Sequence, residues 1–437
     1  MASISVPTAP VPVATPEDAF AVINPKAYAA WDDQLDRFDR LRADMPVARI
    51  VSPEDIHEPF WLLTKFDDCM AVSKDNATFL NAPRPSVFST REGEALVCAI
   101  TGGNPNLVES LVQIDAPKHP KLRRLTQDWF MPKNLMKLEG RIREIAGHAI
   151  DRMFAAGPEV DFARVVSAPY PLHVVMQILG VPEEDEPRML MLTQQMFGGQ
   201  DEDLNQSPIK NLAPEQIIQI VAGAVKNFED YFAGLAAQRR ANPADDLASV
   251  IANAQIDGHP LEDRDTAGYY IITASAGHDT TSASTAGAML ALAQDPEQFA
   301  RVKADRSLLS GIVEEAIRWT TPVQHFMRTA SADTEIGGQT IAKGDYIMIN
   351  YVAANHDPAR FPDPRRFDAG RAANRHLAFG AGAHQCLGLH LARMEMRILF
   401  ETLLDRVDSI ELAGEPRRIQ SVFVGGLKSL PLRWKAA

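Results

Sequence analysis

Cys386 stands in the run Phe379-Gly-Ala-Gly-Ala-His-Gln-Cys386-Leu-Gly388, directly ahead of a helical pattern from Leu389 to Leu404. A glycine-rich turn that delivers a thiol to a helix N-terminus favours the thiolate, because unpaired backbone N–H groups and the helix dipole both stabilise negative charge there. A soft, anionic sulfur is a metal ligand. Cys69 and Cys98 are remote in sequence and no close-spaced Cys/His set accompanies Cys386, so tetrahedral zinc is poorly supported. A single thiolate as the sole protein ligand suits haem iron, where its electron donation favours O–O cleavage. The same segment is compatible with a structural cysteine whose glycines merely permit a turn.

Asp279 and Thr280 form a second candidate. Both residue types are poor helix formers that bond readily to nearby backbone, yet they fall midway along the longest periodic run, Asp263 to Leu292. A carboxylate beside a hydroxyl can shuttle protons if that helix faces bound dioxygen. Around them Thr273 to Ser284 is small and polar where a buried helix ordinarily carries Leu and Ile. Either a flat, bulky group packs there, or helices approach each other through Ala and Gly. Glu315 and Arg318, three apart, share a helix face, as do His119 and Arg123, four apart.

The elements that must position these residues are mainly helical. Residues 22 to 48 read as helix, and Pro59 to Thr64 as a short strand feeding a helix from Asp67. Asn81 to Asn106, rich in Gly, Pro and Asn, reads as a long loop and the first candidate for a pocket wall. Helical patterns return at Lys118–Trp129, Leu135–Ala155, Pro171–Leu179, Glu184–Phe197 and Pro214–Arg239. The polar connection Gly198–Asn211 makes the last two either a lid over a cavity or a static hairpin. Thirty helical residues from Asp263 would span about 45 Å. Thr334–Tyr351 and Ser421–Pro431 read as β-hairpins.

The 437 residues, 46% hydrophobic and 23% charged, can bury a large core, and no linker or repeat divides them. The expectation is one domain over residues 21–437 with a flexible arm at 1–20. A net charge of −13 without a basic, aromatic-interleaved run argues against nucleic acid. Met1–Pro16 lacks a basic n-region and a spanning apolar stretch, so a cytoplasmic protein without membrane contact is expected. Three cysteines are too few for a disulfide scaffold. Cys69 reads as a small core residue, and Cys98 as core or pocket wall.

The pattern Phe-Gly-x-Gly-x-His-x-Cys-x-Gly resembles the haem-binding loop of the cytochrome P450 family at every fixed position, and the resemblance runs from about Trp61 to Pro431. It implies a mainly α fold with small β-sheets, a triangular prism-like single domain with haem b between the long central helix and the helix after the cysteine loop. Cys386 would be the axial ligand, with Phe379, Gly380 and Gly388 around it and Phe379 packed beside the sulfur. Ala276-Gly277-His278-Asp279-Thr280-Thr281 resembles the oxygen-activation motif. Ala276 and Gly277 would border the haem, Gly277 leaving room for dioxygen at the kinked helix, while Thr280 steadies it and Asp279 links it to solvent. The ring of His278 should point away, toward a polar cluster. Glu315 and Arg318 would form a buried network with Arg366, in Pro364-Arg-Arg366-Phe367. His119, Arg123, Arg328 and His384 would meet the two haem carboxylates. His356 departs from the usual arginine, a change expected at the surface.

The resemblance further implies a monooxygenase fed with two electrons from outside, since the chain carries neither a Rossmann glycine fingerprint nor cluster-binding cysteines. A [2Fe-2S] ferredoxin and its NAD(P)H-dependent reductase would supply them, docking at Arg123, Arg124 and the neighbourhood of Arg393 on a monomer. Tyr170–Met176, Leu179–Pro187, Ser275–Thr281 and Phe326–Ala330 resemble the alpha-terpineol hydroxylase group. The implied substrate is compact and hydrophobic: a monoterpenoid, an alkyl aromatic or a small polycyclic aromatic hydrocarbon. Expected pocket walls are Cys98, Ile100, Met196, Phe197, Ile272, Ala276, Val323, Phe326, Val422 and Phe423. The alternatives are a peroxide-using haem-thiolate peroxygenase and a non-catalytic haem sensor or carrier.

Overall fold

Two helices through the middle of the molecule organise the rest. Asp263–Ala276 and Asp279–Gln294 occupy the run expected as one thirty-residue helix, and they meet at Gly277–His278. The break has a local cause. The hydroxyls of Thr280 and Thr281 bond back to the carbonyls of Ala276 and Gly277, at 3.0 and 3.1 Å, and such bonds compete with the backbone ladder and bend helices. Beyond the break the small residues serve close packing. A Cβ on Gly287 would lie 2.1 Å from Thr320 Oγ1, on the helix Leu309–Thr320. This computed structural model describes residues 11–204, 214–372 and 374–437.

The largest core cluster gathers these helices with Glu139–Ala155, Pro169–Leu179, Pro214–Ala241 and Leu389–Arg406. Beside it lies a five-stranded sheet in the order Val47–Ile50, Phe60–Leu63, Tyr346–Asn350, His325–Ala330, Phe79–Leu80. It is antiparallel except where Tyr346–Asn350 runs parallel to Phe60–Leu63. Side chains alternate across it. Phe60, Leu62 and Met348 enter one apolar cluster, while Trp61, Leu63, Ile347 and Ile349 enter the other, the period of two expected of a strand covered on both faces.

Several expectations need correction. From residue 11 onward the expected arm is tied down: Val13 bridges to Arg49, and Thr15 caps the helix Pro16–Ile23. Residues 22–48 are not one helix, because Pro25 and Trp31 each begin a new one and Val47–Ile50 is a strand. The long loop from Asn81 contains the helix Arg91–Thr101, capped by Thr90 and stopped by left-handed Gly102. The C-terminal hairpin pairs Arg417–Arg418 with Leu427–Ser429, and Pro431–Ala436 joins a separate three-stranded sheet. Residues 1–10 of the arm and 205–211 of the polar connection lie outside the described residues. Among those described, no helix is long and apolar enough to cross a membrane.

Candidate active site

The cysteine loop is shaped by its glycines. Gly380 and Gly382 adopt φ of +65° and +73°, and a Cβ on Gly382 would meet Ser73 O at 2.7 Å, so both the turn and the close approach require glycine. The Cys386 N–H donates to Phe379 O at 2.8 Å, closing the loop on the Phe379 backbone. Cys386 is exposed, yet so closely ringed by protein that desolvation is the largest influence on it and pushes the free thiol up. The Gly388 N–H, Arg123 and Arg393 act in the opposite direction. The helix N-terminus expected to favour the thiolate is thus outweighed by burial in the metal-free thiol. Arg393 lies 4.8 Å over the Phe379 ring and is gripped by Glu314 at 2.5 and 2.9 Å.

The helix break lies alongside the helix that follows Cys386, because Thr281 Oγ1 is 3.0 Å from Glu395 Oε1, nine residues beyond the cysteine. Gly277 permits the bend: a Cβ there would strike Val175 Cγ2 at 2.7 Å. Ala276 is exposed and Asp279 and Thr280 are half-buried, so the two polar residues stand at a boundary. His278 is fully buried, and its Nε2 lies 3.0 Å from Asp279 Oδ1. Neither ring nitrogen makes a well-aligned hydrogen bond among the described residues, so the expected polar cluster around this ring is not found.

Four basic residues converge near the cysteine. The rings of His119 and His384 are 4.1 Å apart. His384 is pushed down to about 3 by burial, and the nearby His119, Arg328 and Arg123 act the same way. Burial also lowers Arg328 and Arg123, and Arg123 feels the Cys386 sulfur. Arg328 donates to Met327 O, and His119 Nε2 is buried with no hydrogen-bond partner among the described residues. Among the described residues neither arginine has a carboxylate at ion-pair distance. Buried cations without counter-charge are costly, and a ligand bearing two carboxylates relieves that cost.

Glu315 and Arg318, both fully buried, form a two-pronged pair at 2.7 and 2.8 Å. The third member is Arg371, whose Nε lies 2.9 Å from Glu315 Oε1. The expected Arg366 contributes only its backbone carbonyl, to Arg371. Asn374 and the Asp368 N–H complete the carboxylate's shell, and Arg318 reaches Asn355 O at 2.8 Å. Asn355 in turn accepts from the Leu377 N–H at 2.7 Å, two residues before Phe379. The network therefore fixes the approach to the cysteine loop.

Of the expected pocket residues, Phe197, Phe423 and Phe326 come together, with centroids 6.2 Å apart for the first pair and 5.5 Å for the second. Val323 bridges to Val424 beneath them. Cys98, Met196 and Ile272 are half-buried, and Ile100 is exposed on its helix. Val422 is not a wall: it is buried in the cluster with Tyr28 and Phe60, on a bend in which the Phe423 and Val424 N–H groups donate to the Ser421 hydroxyl. His356 is likewise no surface residue, being 1% exposed, with Nδ1 2.9 Å from Val352 O.

The Cytochrome P450 family model matches residues 98–427. The chain belongs to the cytochrome P450 family. It is 43% identical over 419 residues to Cytochrome P450-terp of a Pseudomonas species, covering 96% of this chain and 97% of that protein. It is 34% identical to linalool 8-monooxygenase of Pseudomonas putida, over 90% and 94% of the two chains. Among solved structures, CYP108D1 from Novosphingobium aromaticivorans superposes with a TM-score of 0.91 at 70% identity, covering 98% of this chain and all of that one. The protein is therefore a monooxygenase of this family, with its prism of helices and small sheets and its cysteine-thiolate haem. P450 relatives such as Cytochrome P450-terp use redox partners. The uncompensated cations beside an accessible thiol fit that cofactor, an iron macrocycle with two carboxylates.

Residues beyond those anticipated also shape this cytochrome P450 site. Asn81 Nδ2 lies 2.7 Å from His384 Nε2, and Asp115 accepts from the Asn81 and Ala82 N–H groups. Nothing local in the sequence marks Asn81. Glu395 could have been found, because it interrupts the buried stripe Leu391, Ile398, Leu399 of an amphipathic helix with an acid.

Proposed function

We propose that this cytochrome P450 hydroxylates a compact hydrophobic substrate, foremost a monoterpenoid alcohol or a hydrocarbon of similar size, and that the Cys386 thiolate would hold the haem iron. The haem supplies dioxygen cleavage and oxygen insertion when bound. Arg123, Arg328, His119 and His384 would hold its carboxylates. Asp279, half in solvent, receives a proton there and hands it to the Thr280 hydroxyl, which is bonded to Ala276 O at 3.0 Å and can turn to present its own proton. Phe197, Phe326 and Phe423 press the substrate into place and exclude water. The same flat apolar wall suits an alkyl or small polycyclic aromatic.

The observation that carries the substrate class is near full-length similarity to two proteins whose names place them in terpenoid chemistry, P450-terp and linalool 8-monooxygenase. The electron donor in this reading is a [2Fe-2S] ferredoxin with its NAD(P)H-dependent reductase, and dioxygen is the oxidant. Exposed Arg124 supports an acidic partner, whereas Arg393 is neutralised by Glu314 and Arg397 by Glu139 and Glu401. The docking face is therefore less basic than a count of arginines suggests. Titrating the ferric protein with alpha-terpineol, linalool and a fused aromatic hydrocarbon tests the assignment. A saturable low-spin to high-spin shift with a terpenoid supports it, and no shift with any of the three overturns it.

A further inference from the structure

We infer that the ion pair between Asp201 and Lys428 is a tether that holds the Phe197 wall of the pocket shut against Phe423 and so sets the rate of ligand entry and exit. The inference rests on the reading of these phenylalanines as pocket wall. Asp201 lies four residues beyond Phe197, after a turn in which the Asp201 N–H donates to Gly198 O at 3.1 Å. Its side chain is fully buried and is contacted from both sides. Lys428 Nζ is 2.9 Å from each carboxylate oxygen, the Gln420 N–H donates to Oδ2 at 2.8 Å, and the Asp203 N–H donates to Oδ1 at 2.9 Å.

The segment that carries Phe423, between Gln420 and Lys428, is bonded to the strand His325–Ala330 and the residues just before it. Gln324 N–H donates to Phe423 O at 2.8 Å, Gln324 Nε2 to Ser421 O at 2.8 Å, and the Gly425 N–H to Pro322 O at 2.8 Å. His325 Nδ1 lies 2.8 Å from Val422 O. Phe423 is thereby fixed to the strand that carries Phe326, a rigid base. Phe197, at the end of its helix, reaches this base through the Asp201–Lys428 pair and the bond from the Val422 N–H to Gln200 Oε1 at 3.1 Å. A nearly dry ion pair with its lone pairs filled resists separation, and the aromatic contact 6.2 Å across does not by itself hold two elements in register. Separation exposes both charges to water together, so the contact is two-state rather than graded.

Stopped-flow binding of 4-phenylimidazole to the haem-loaded protein tests this without assuming the substrate. Asp201→Asn and Lys428→Met should each raise both association and dissociation rates about tenfold, with the ferrous–CO spectrum unchanged. The second variant matters because Asp203 also contacts Lys428 at 2.9 Å and can stand in for Asp201. The doubly reversed Asp201→Lys/Lys428→Asp protein should recover part of the slow exchange. Wild-type rates in both single variants overturn the tether. Faster phenylimidazole exchange in a protein that never responds to a terpenoid or aromatic supports the tether and overturns the substrate assignment.

Discussion

The Thr281 hydroxyl lies 3.1 Å from Gly277 O and 3.0 Å from Glu395 Oε1. A hydroxyl has one proton and the Gly277 carbonyl can only accept, so when Thr281 donates to Gly277 the bond to Glu395 must run from an acid O–H. Burial, the largest influence, raises Glu395 well above the usual carboxylate range, in the direction this geometry demands. We predict that Glu395 is protonated in the fold, where it joins the helix behind the cysteine to the bend that carries Asp279 and Thr280. Glu395→Gln, which keeps a donor, should leave stability within about 1 kcal/mol, whereas Thr281→Val should cost roughly 1–3 kcal/mol by orphaning the acid. Infrared difference spectra should show a buried C=O stretch of a protonated acid that Glu395→Gln removes; its absence from the wild type would refute the neutral acid.

Arg328 gives a prediction of opposite sign in two states. Its guanidinium is buried, and among the described residues its hydrogen bond is to Met327 O. Arg328→Met should therefore stabilise the haem-free protein by about 1–3 kcal/mol, since it removes an uncompensated buried charge. In the loaded protein the same change removes a carboxylate partner and should speed haem loss about tenfold. Denaturant unfolding of the apoprotein and haem transfer to an excess of apomyoglobin measure the two effects. Destabilisation in both states would mean that Arg328 serves the fold alone.

Arg371 and Arg366 provide a paired comparison. Arg371 Nε bonds both oxygens of a carboxylate that is 0% exposed, at 2.9 and 3.0 Å. Arg371→Met should cost about 3–5 kcal/mol by stranding part of the Glu315 charge. Arg366→Met, which removes no bond to Glu315, should fall within about 0.5 kcal/mol of wild type. Urea unfolding of the two loaded variants separates them, and equal losses would restore Arg366 to the network.

The same pair illustrates what sequence can carry. Glu315 and Arg318 are legible because their spacing of three is a property of one helix. The glycines of the cysteine loop are legible because a turn dictates them locally. Arg371 approaches Glu315 across 56 residues of irregular chain, and nothing in local spacing favours it over an arginine five positions earlier. Asp201 was hidden for a related reason: in a polar stretch an acid reads as solvated, and only tertiary closure onto Lys428 buries it. The interruption at Gly277 follows from the family resemblance, which implies a kinked helix there, and not from periodicity, because Thr and Ser at helical spacing satisfy the period while their hydroxyls spoil the ladder. The helix Arg91–Thr101 was lost among flanking prolines and glycines, although Thr90 is a sound N-cap.

His325 and His356 both weaken the fold in acid, as the buried His384 does. His325 accepts from the Phe88 N–H at 3.2 Å through Nε2, so Nδ1 carries the proton donated to Val422 O at 2.8 Å, and both nitrogens are engaged in the neutral ring. Burial, the largest influence, pushes it down to about 4, and pushes His356 down to about 3 with help from Arg318. In the unfolded chain both titrate near 6.5, so between 6.5 and these lowered values the unfolded state binds more protons than the folded one. Stability is then full above about 6.5 and falls as the pH drops toward 4, by up to about 1.4 kcal/mol per pH unit for each histidine. Urea midpoints from pH 7 to pH 4 should follow that slope, and His356→Gln should flatten it by one proton's worth. An unchanged slope in that variant would mean that His356 is protonated inside the fold.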